Sequence, residues 1–583
     1  MDISQIFRLL LGVTLFLFGM KLMGDGLKAV AGNKMEIILY KLSSTPLRGV
    51  LLGTGVTAVI QSSCATAVMV VGFANSGMMK LKQAVSVTVG AILGTSITGW
   101  IICLGYIEGA KGLASLLSTT TLTALVALAG ILMVMFIKKQ KINRIGAILM
   151  GFSVLMAGMS SMSAAVGTLG ELPAFREMLA TLDNPLLAIL VGALATAVLQ
   201  SASAAVGILQ AISVSGALTL GAAIPLLMGI AVGAAAPVLL SAIGASAKGR
   251  RAALIYPITA ALGTAITAIL YYPLNAVFRF SFPELSATPY SIATANSILR
   301  LAIVLVMLPL LTPITGLISG LIKPKADEVE NDGPVLEERF LEHPALALQQ
   351  SRDAINAMAA GAREALSAAF SLLDKYTEEG FRRVSALEAQ GDRYEDSLGS
   401  YLVKLTGRPL DEKQNEDLSM FLHTLSDFER LTDHALNVAE SAKEMKEKTI
   451  TFSEDAVREL QVTASAVLRI ADDAIAAFTE ENERLATRVE PLEEWIDELC
   501  DELKSRHVDR LQSGECTIAH GFVFNDLLTN LERVADHCSN IAVALIELQA
   551  DRFDTHEYLD RVKTRRSEDF SRLYEEYKRQ FAI

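Results

Sequence analysis

Histidine is missing from the first 340 residues of this 583-residue chain, and residues 1–321 hold only eight acids. Those acids, Asp2, Asp25, Glu36, Glu108, Glu171, Glu177, Asp183 and Glu284, lie outside the apolar runs or at their ends. A proton relay through an apolar interior needs an Asp, Glu or His, so this half has no obvious proton carrier. It also lacks an H-E-x-x-H helix and a G-x-S-x-G elbow, which removes the commonest zinc-hydrolase and serine-hydrolase readings. The five cysteines, Cys64, Cys103, Cys500, Cys516 and Cys538, are odd in number and show no C-x-x-C spacing. Neither a zinc site nor a disulfide framework follows, and they read as packing residues in a reducing setting. No A-x-A-like cleavage site follows the first apolar run, and Lys21, Asp25 and Lys28 come directly after it. It reads as a retained span, not a signal peptide.

The composition divides at one place. The chain is 51% hydrophobic with a mean hydropathy of +0.40, too apolar for an ordinary soluble enzyme. Residues 1–321 carry 19 Lys and Arg against their 8 acids, a net charge of +11, whereas the remainder carries a net −23. A sparsely charged membrane domain therefore precedes a charged, helix-forming soluble one. The acidic soluble half would repel a phosphodiester backbone, so no nucleic-acid partner is expected.

The membrane half repeats itself at an offset of 139. Gly12, Gly19, Met20 and Met23 recur as Gly151, Gly158, Met159 and Met162; Gly53, Thr57, Gln61, Ser62 and Ala65 recur as Gly192, Thr196, Gln200, Ser201 and Ala204. A Gln-Ser pair returning inside two apolar runs is hard to obtain by chance. Lys and Arg in short loops favour the cytoplasm, and Lys138, Lys139, Lys141 and Arg144 place the joint between copies there. Lys80 and Lys82 precede the run from Ala84, whereas the equivalent stretch 218–221 is uncharged. The next loop reverses the bias, with Lys248, Arg250 and Arg251 in the second copy. Equivalent loops thus fall on opposite sides, as in an inverted repeat. Basic residues on both flanks of the run 51–74 bring both its ends to the cytoplasmic face, so the run enters and returns as a re-entrant hairpin with Gln61 and Ser62 at its tip.

The expected fold class is all-α: a polytopic membrane domain with inverted repeats and two re-entrant hairpins, followed by a soluble tandem three-helix-bundle domain. Seven full spans are expected near 7–23, 84–106, 113–137, 145–162, 222–244, 252–274 and 296–321. The transporter-like domain covers 1–321 (repeats about 7–137 and 145–274, extra span 296–321), with a linker at 322–343. The N-terminus is expected outside and the soluble domain in the cytoplasm, in a multi-pass protein of the cell (inner) membrane; a homo-oligomer is compatible with this reading.

At the hairpin tips the chemistry is neutral oxygen: Thr57, Gln61, Ser62, Ser63 and Thr66 in one copy, Gln200, Ser201 and Ser203 in the other. Such oxygens suit Na⁺, while the N-termini of returning half-helices direct partial positive charge at an anion. The residues read as a sodium-coupled anion transporter; the plainer alternative is polar glue between small-residue helices. Arg300 offers two readings, a bidentate fork for an oxyanion or, favoured here, an arginine snorkelling at the outer face. Gln61-Ser62-Ser63-Cys64, the Gly90–Ser96 segment and Gln200-Ser201-Ala202-Ser203 resemble the paired Q-S-S-S signatures and G-A-N-x-G-T segment of the type II sodium-phosphate cotransporter family. The resemblance implies Na⁺-dependent inorganic phosphate transport between the hairpins, adding Thr95 and Ser96 to the substrate and sodium site. Cys64 and Ala202 depart from the serine pattern.

Beyond Leu321 helical periodicity runs to the C-terminus with no convincing strand. A second duplication relates 344–450 to 451–583, the latter with a helical extension: Phe428-Glu429-Arg430, Asp433-His434 and Asn437 recur as Leu531-Glu532-Arg533, Asp536-His537 and Asn540. Glu388/Asp392, Glu429/Asp433, Glu493/Asp497 and Glu532/Asp536 each place two carboxylates on one helix face. Two readings stand, a multinuclear metal patch or a solvated acidic face paired to Arg393, Arg430 or Arg533. His434 and His537 read equally as ligands or packing residues. The E-R-x-x-D-H-x-x-N signature resembles the PhoU family of phosphate-signalling proteins, which implies a regulatory domain and a divalent or iron metal cluster on these acids.

Overall fold

The computed structural model describes residues 3–31, 45–106, 119–137, 139–169, 172–323, 334, 336–549 and 568–583. It separates into two compact units, Met1–Glu330 and Asn331–Ile583. The described residues form helices and no strand beyond one isolated bridge, Thr219 to Ser286.

In the first unit the helices are α1 (Ile3–Ala31), α2 (Pro46–Ile60), α3 (Ser63–Asn75), α4 (Leu81–Cys103), α5 (Thr119–Phe136) and α6 (Gln140–Leu169). Short α7 (Pro173–Ala180) precedes α8 (Pro185–Leu199), α9 (Ala202–Ser213), α10 (Leu220–Gly233), α11 (Ala236–Leu240), α12 (Ala247–Ala253), α13 (Ile255–Phe278), α14 (Pro289–Met307) and α15 (Leu311–Leu321). Among the described residues six helical stretches are long and apolar enough to cross a membrane: 4–28, 81–106, 141–168, 220–240, 247–278 and 289–321. The expected span at 113–137 falls on α5, whose apolar part is only Thr123–Phe136, and residues 113–118 lie outside the described ones. Leu186 and Val198 on α8 stand about four-fifths exposed and Phe136 on α5 about three-quarters, the outward apolar surface of a protein solvated by lipid.

Glycines set how close the spans come. Along the α1–α6 crossing, Met162 backs onto Gly12 and Leu155 onto Gly19, while Met23 backs onto Gly151 and Phe16 onto Gly158. A Cβ at any of these four glycines would strike the facing backbone, so the helices approach as closely as small residues allow. Partners 139 residues apart exchange roles in every pair, which is the reciprocity of a two-fold relation. Residue numbers run in opposite senses along the contact, so α1 and its own repeat α6 are antiparallel. Phe16, Met23, Leu155, Met159 and Met162 fill the buried core between them. The same rule holds α2 against α4 and α8 against α10: Gly90 faces the Val50 carbonyl and Gly229 the equivalent Ile189 carbonyl.

The second unit contains α16 (Pro344–Asp374), α17 (Glu378–Thr406), α18 (Glu412–Lys448), α19 (Glu454–Glu480), short α20 (Glu483–Ala486), α21 (Val489–Gln512), α22 (Ile518–Gln549) and α23 (Glu568–Gln580). Thr377, Asp411 and Ser453 cap α17, α18 and α19, the Asp411 cap closing a reciprocal box with Gln414. Helices α16–α18 pack as one three-helix layer and α19, α21 and α22 as another, joined along α18 and α22. The apolar stripes meet at Phe421, Phe428 and Phe478. The C-terminal helix α23 rests on α21 through Phe570 and Tyr577.

Candidate functional site

Both Gln-Ser pairs break a helix in the same way. Helix α2 ends at Gln61, whose backbone is left-handed (φ 59°, ψ 24°), and Ser62 then turns extended (φ −149°, ψ 108°) to start α3. Helix α8 ends at Gln200 (φ 53°, ψ 21°), followed by Ser201 (φ −148°, ψ 111°) and α9. A left-handed non-glycine residue costs on the order of 1–2 kcal/mol. Glycine would hold either turn without that penalty, so retaining glutamine at both points to a use for the side chain. Ser62 and Ser201 cap the returning helices, accepting from the amides of Ala65 and Ala204 at 3.1 and 3.2 Å.

The first tip is enclosed. Gln61 accepts from Thr98 Oγ1 at 2.8 Å, Thr57 donates to Thr66 at 3.0 Å, and Thr66 returns to the Ser62 carbonyl at 3.1 Å. Ser63 Oγ lies 3.2 Å from the Tyr256 hydroxyl, and Cys64 donates to the carbonyl of Ala234 in the second copy. Thr95 and Ser96 are buried on α4 and bond back to their own helix, to the carbonyls of Ala91 and Leu93. Ser203 is buried near the start of α9. At the second tip Pro237 stands at the position equivalent to Thr98, and Gln200 is exposed where Gln61 is buried. Among the described residues the hydrogen bonds do not join the two Gln-Ser motifs directly.

Arg300 is not an interfacial side chain. It is fully buried, donating through Nε to Asn296 Oδ1 at 2.9 Å and through Nη1 to the Ile92 carbonyl at 3.0 Å. The expectation failed because the helix begins at Pro289 and not near 296, so Arg300 lies three turns inside it. Thr98, Tyr256, Asn296 and Gln210, which ties α9 to the Gly99 and Pro289 carbonyls, were also missed. Polar residues scattered singly in apolar runs carry no periodic signal; the Asn296/Arg300 spacing was the one local clue.

In the second unit, oxygens of Glu388, Asp392 and Asp433 come within 4.8 Å of one another, and so do those of Glu493, Asp497 and Asp536. Burial, then the Asp392 and Asp433 charges, raise the Glu388 carboxyl. Glu429 stands beside Asp433 and is pushed up to about 7, first by burial and then by that neighbour. Glu532 differs from its counterpart, because Lys504 binds it at 2.6 Å where the first repeat has Gly399. Arg430 and Arg533 reach Asp433 and Asp536 at 3.3 Å. Three hard oxygen donors per cluster match the kind of ligand a divalent cation takes. His434 and His537 belong to neither triad. They stack on each other at 5.5 Å, with Nδ1 of each held 2.9 Å from Asn530 and Asp427.

Twin helix breaks 139 residues apart, set among apolar helices long enough to cross a membrane, mark a membrane protein built on an internal repeat. The chain belongs to the Na⁺/Pi-cotransporter family, whose model matches residues 15–164 and 171–312, and it carries PhoU domains at 355–442 and 461–545. A protein of Escherichia coli (strain K12) provisionally named the inorganic phosphate export protein YjbB is 22% identical over 564 residues, 93% of this chain and 97% of that one. The phosphate-specific transport system accessory protein PhoU homolog 1 of Thermotoga maritima is 29% identical over 140 residues, 24% of this chain and 60% of that protein's length. The sodium-dependent phosphate transport protein 2A of Ovis aries is 32% identical over 78 residues, 13% of this chain and 12% of that one.

Proposed function

We propose that this protein is a sodium-coupled inorganic phosphate transporter whose cytoplasmic PhoU unit regulates transport. The observation that carries this reading is the repeated Gln-Ser helix break, at Gln61-Ser62 and Gln200-Ser201, within the family-matched region. Each break frees backbone carbonyls and directs a helix N-terminus, so one motif supplies acceptors for Na⁺ and donors for an anion. The antiparallel α1 and α6 support inverted repeats, and helices of 12 to 15 residues at each break, too short to cross a bilayer, support re-entrant hairpins in a cell (inner) membrane.

In the soluble unit Glu388, Asp392 and Asp433 would hold one divalent or iron centre and Glu493, Asp497 and Asp536 a second, with Glu429 and Glu532 alongside. The cation would supply charge neutralisation between the helices. Export is the second reading, favoured by the name of the E. coli relative that covers most of the chain. Radiolabelled phosphate flux in proteoliposomes under imposed Na⁺ gradients of either sign tests both. Flux that follows the Na⁺ gradient supports coupling, whereas binding without flux would make the protein a membrane phosphate sensor.

A further inference from the structure

The corner around Arg300 contains more hydrogen-bond donors than the fold uses. Arg300 Nη2 is buried without a partner, and so is Asn296 Nδ2 one turn earlier on α14. The amide of Asn296 has one orientation available, because its Oδ1 must accept from Arg300 Nε, which only donates. Both unsatisfied atoms are therefore N–H groups. Sodium needs acceptors, so this corner is unsuited to a cation.

A guanidinium stays charged when buried, and a buried charge requires a counter-charge. Among the described residues none is present. Asp25, Glu177, Asp183 and Glu284 are exposed, and the ion pairs among described residues leave Arg300 out. The Tyr256 hydroxyl stands within hydrogen-bonding reach of the guanidinium, though not in a geometry that satisfies Nη2, and the Cys64 thiol is within electrostatic reach. Tyr256 in turn touches Ser63, the first residue of α3. The unpaired cation thus stands at the N-terminal end of a hairpin helix, beside the site argued above.

We propose that Arg300 and Asn296 are the fixed anchor of the transported oxyanion, Nη2 and Nδ2 each donating to one of its unprotonated oxygens. This rests on the transporter reading and deepens it by assigning the anion-holding residues to α14, outside both Gln-Ser motifs. Asn296 acts twice, as a donor and as the group that aims the guanidinium. The two unsatisfied N–H groups select charge and a pair of oxygens; they do not sense the proton on phosphate.

The test uses the full-length protein in proteoliposomes and in detergent, with inorganic phosphate, arsenate and sulfate as probes. Arg300→Lys keeps the charge but not the fork, and should raise the phosphate KM about tenfold or more while kcat changes by less than about threefold. Asn296→Asp builds a carboxylate against the arginine. It should abolish the anion-induced rise in melting temperature while leaving the anion-free melting temperature equal or higher. A purely structural Arg300 would give the stability gain without the loss of anion response. Wild-type-like phosphate KM in both variants overturns the anchor while leaving the transporter reading intact. A wild-type protein that answers to sulfate or arsenate but not phosphate, with the response lost in Asn296→Asp, upholds the anchor and overturns phosphate as the substrate. A wild-type protein that answers to no oxyanion overturns the anchor as well.

Discussion

Gln61 and Gln200 share one left-handed backbone geometry, φ 59° and 53°, yet Gln61 is buried and accepts from Thr98 while Gln200 is exposed, and the sequence position equivalent to Thr98 is Pro237, which has no hydroxyl to donate. The two tips thus differ in the cover over their glutamine, although Thr196 and Ser203 beside the second are buried.

The backbone and side-chain roles of these glutamines separate by substitution. Gln61→Gly and Gln200→Gly keep the left-handed turn and remove the amide. Each should preserve folding and membrane insertion and lower sodium-driven phosphate flux by at least about tenfold, the scale of a lost ligand. Flux equal to wild type in both would return the motif to helix packing.

Topology is read with single cysteines at exposed positions flanking the first hairpin. The buried native cysteines are retained and Cys516, which is half-buried, is replaced to lower background. Thr45→Cys and Lys80→Cys should be labelled by an impermeant reagent from the cytoplasmic side alone, and Ser286→Cys from the outside. Labelling of positions 45 and 80 from opposite sides would mean that α2 and α3 together cross the bilayer.

Close packing of α1 on α6 predicts a sharp contrast among glycines. Gly19→Val drives a branched side chain into the backbone of Leu155 and should destabilise the membrane unit by about 3 kcal/mol or more. Gly55→Ala and Gly167→Ala, where an added Cβ meets nothing within 4 Å, should leave the melting temperature of the purified protein unchanged.

Glu429, beside the first acidic triad, gives a pH signature whose sign depends on metal. Glu429 is raised to about 7 in the folded protein, so the folded state favours the protonated form. Without metal the stability of the soluble unit should fall as pH rises from the ordinary glutamate range through about 7. A bound cation reverses the trend, because deprotonation then supplies a ligand and proton release accompanies binding. Metal content by elemental analysis and the loss of melting temperature on chelation should both disappear in Asp433→Asn with Asp536→Asn. A solvated acidic face would show no metal and no chelator effect.

What the residues disclosed in advance was whatever repeated. The 139-residue offset located both helix breaks, and the Glu-x-x-x-Asp pairs located both triads, because each depends on local spacing that the fold preserves. Thr98 and Tyr256 were hidden because each meets its partner across the bundle, and sequence distance carries no trace of that; Arg300 was visible, but its contact with the Ile92 carbonyl across the bundle was not. Lys504 on Glu532 belongs to the same class: the acid pair is periodic, but the lysine that engages it comes from a neighbouring helix.

Sodium-dependent phosphate flux by the purified full-length protein in proteoliposomes bears most directly on the central claim. An inward Na⁺ gradient should drive radiolabelled phosphate movement that collapses when Na⁺ is replaced by K⁺ or when the gradient is dissipated, and that is lost in Gln61→Gly. Phosphate movement indifferent to Na⁺, or none in a preparation that binds phosphate, would contradict it.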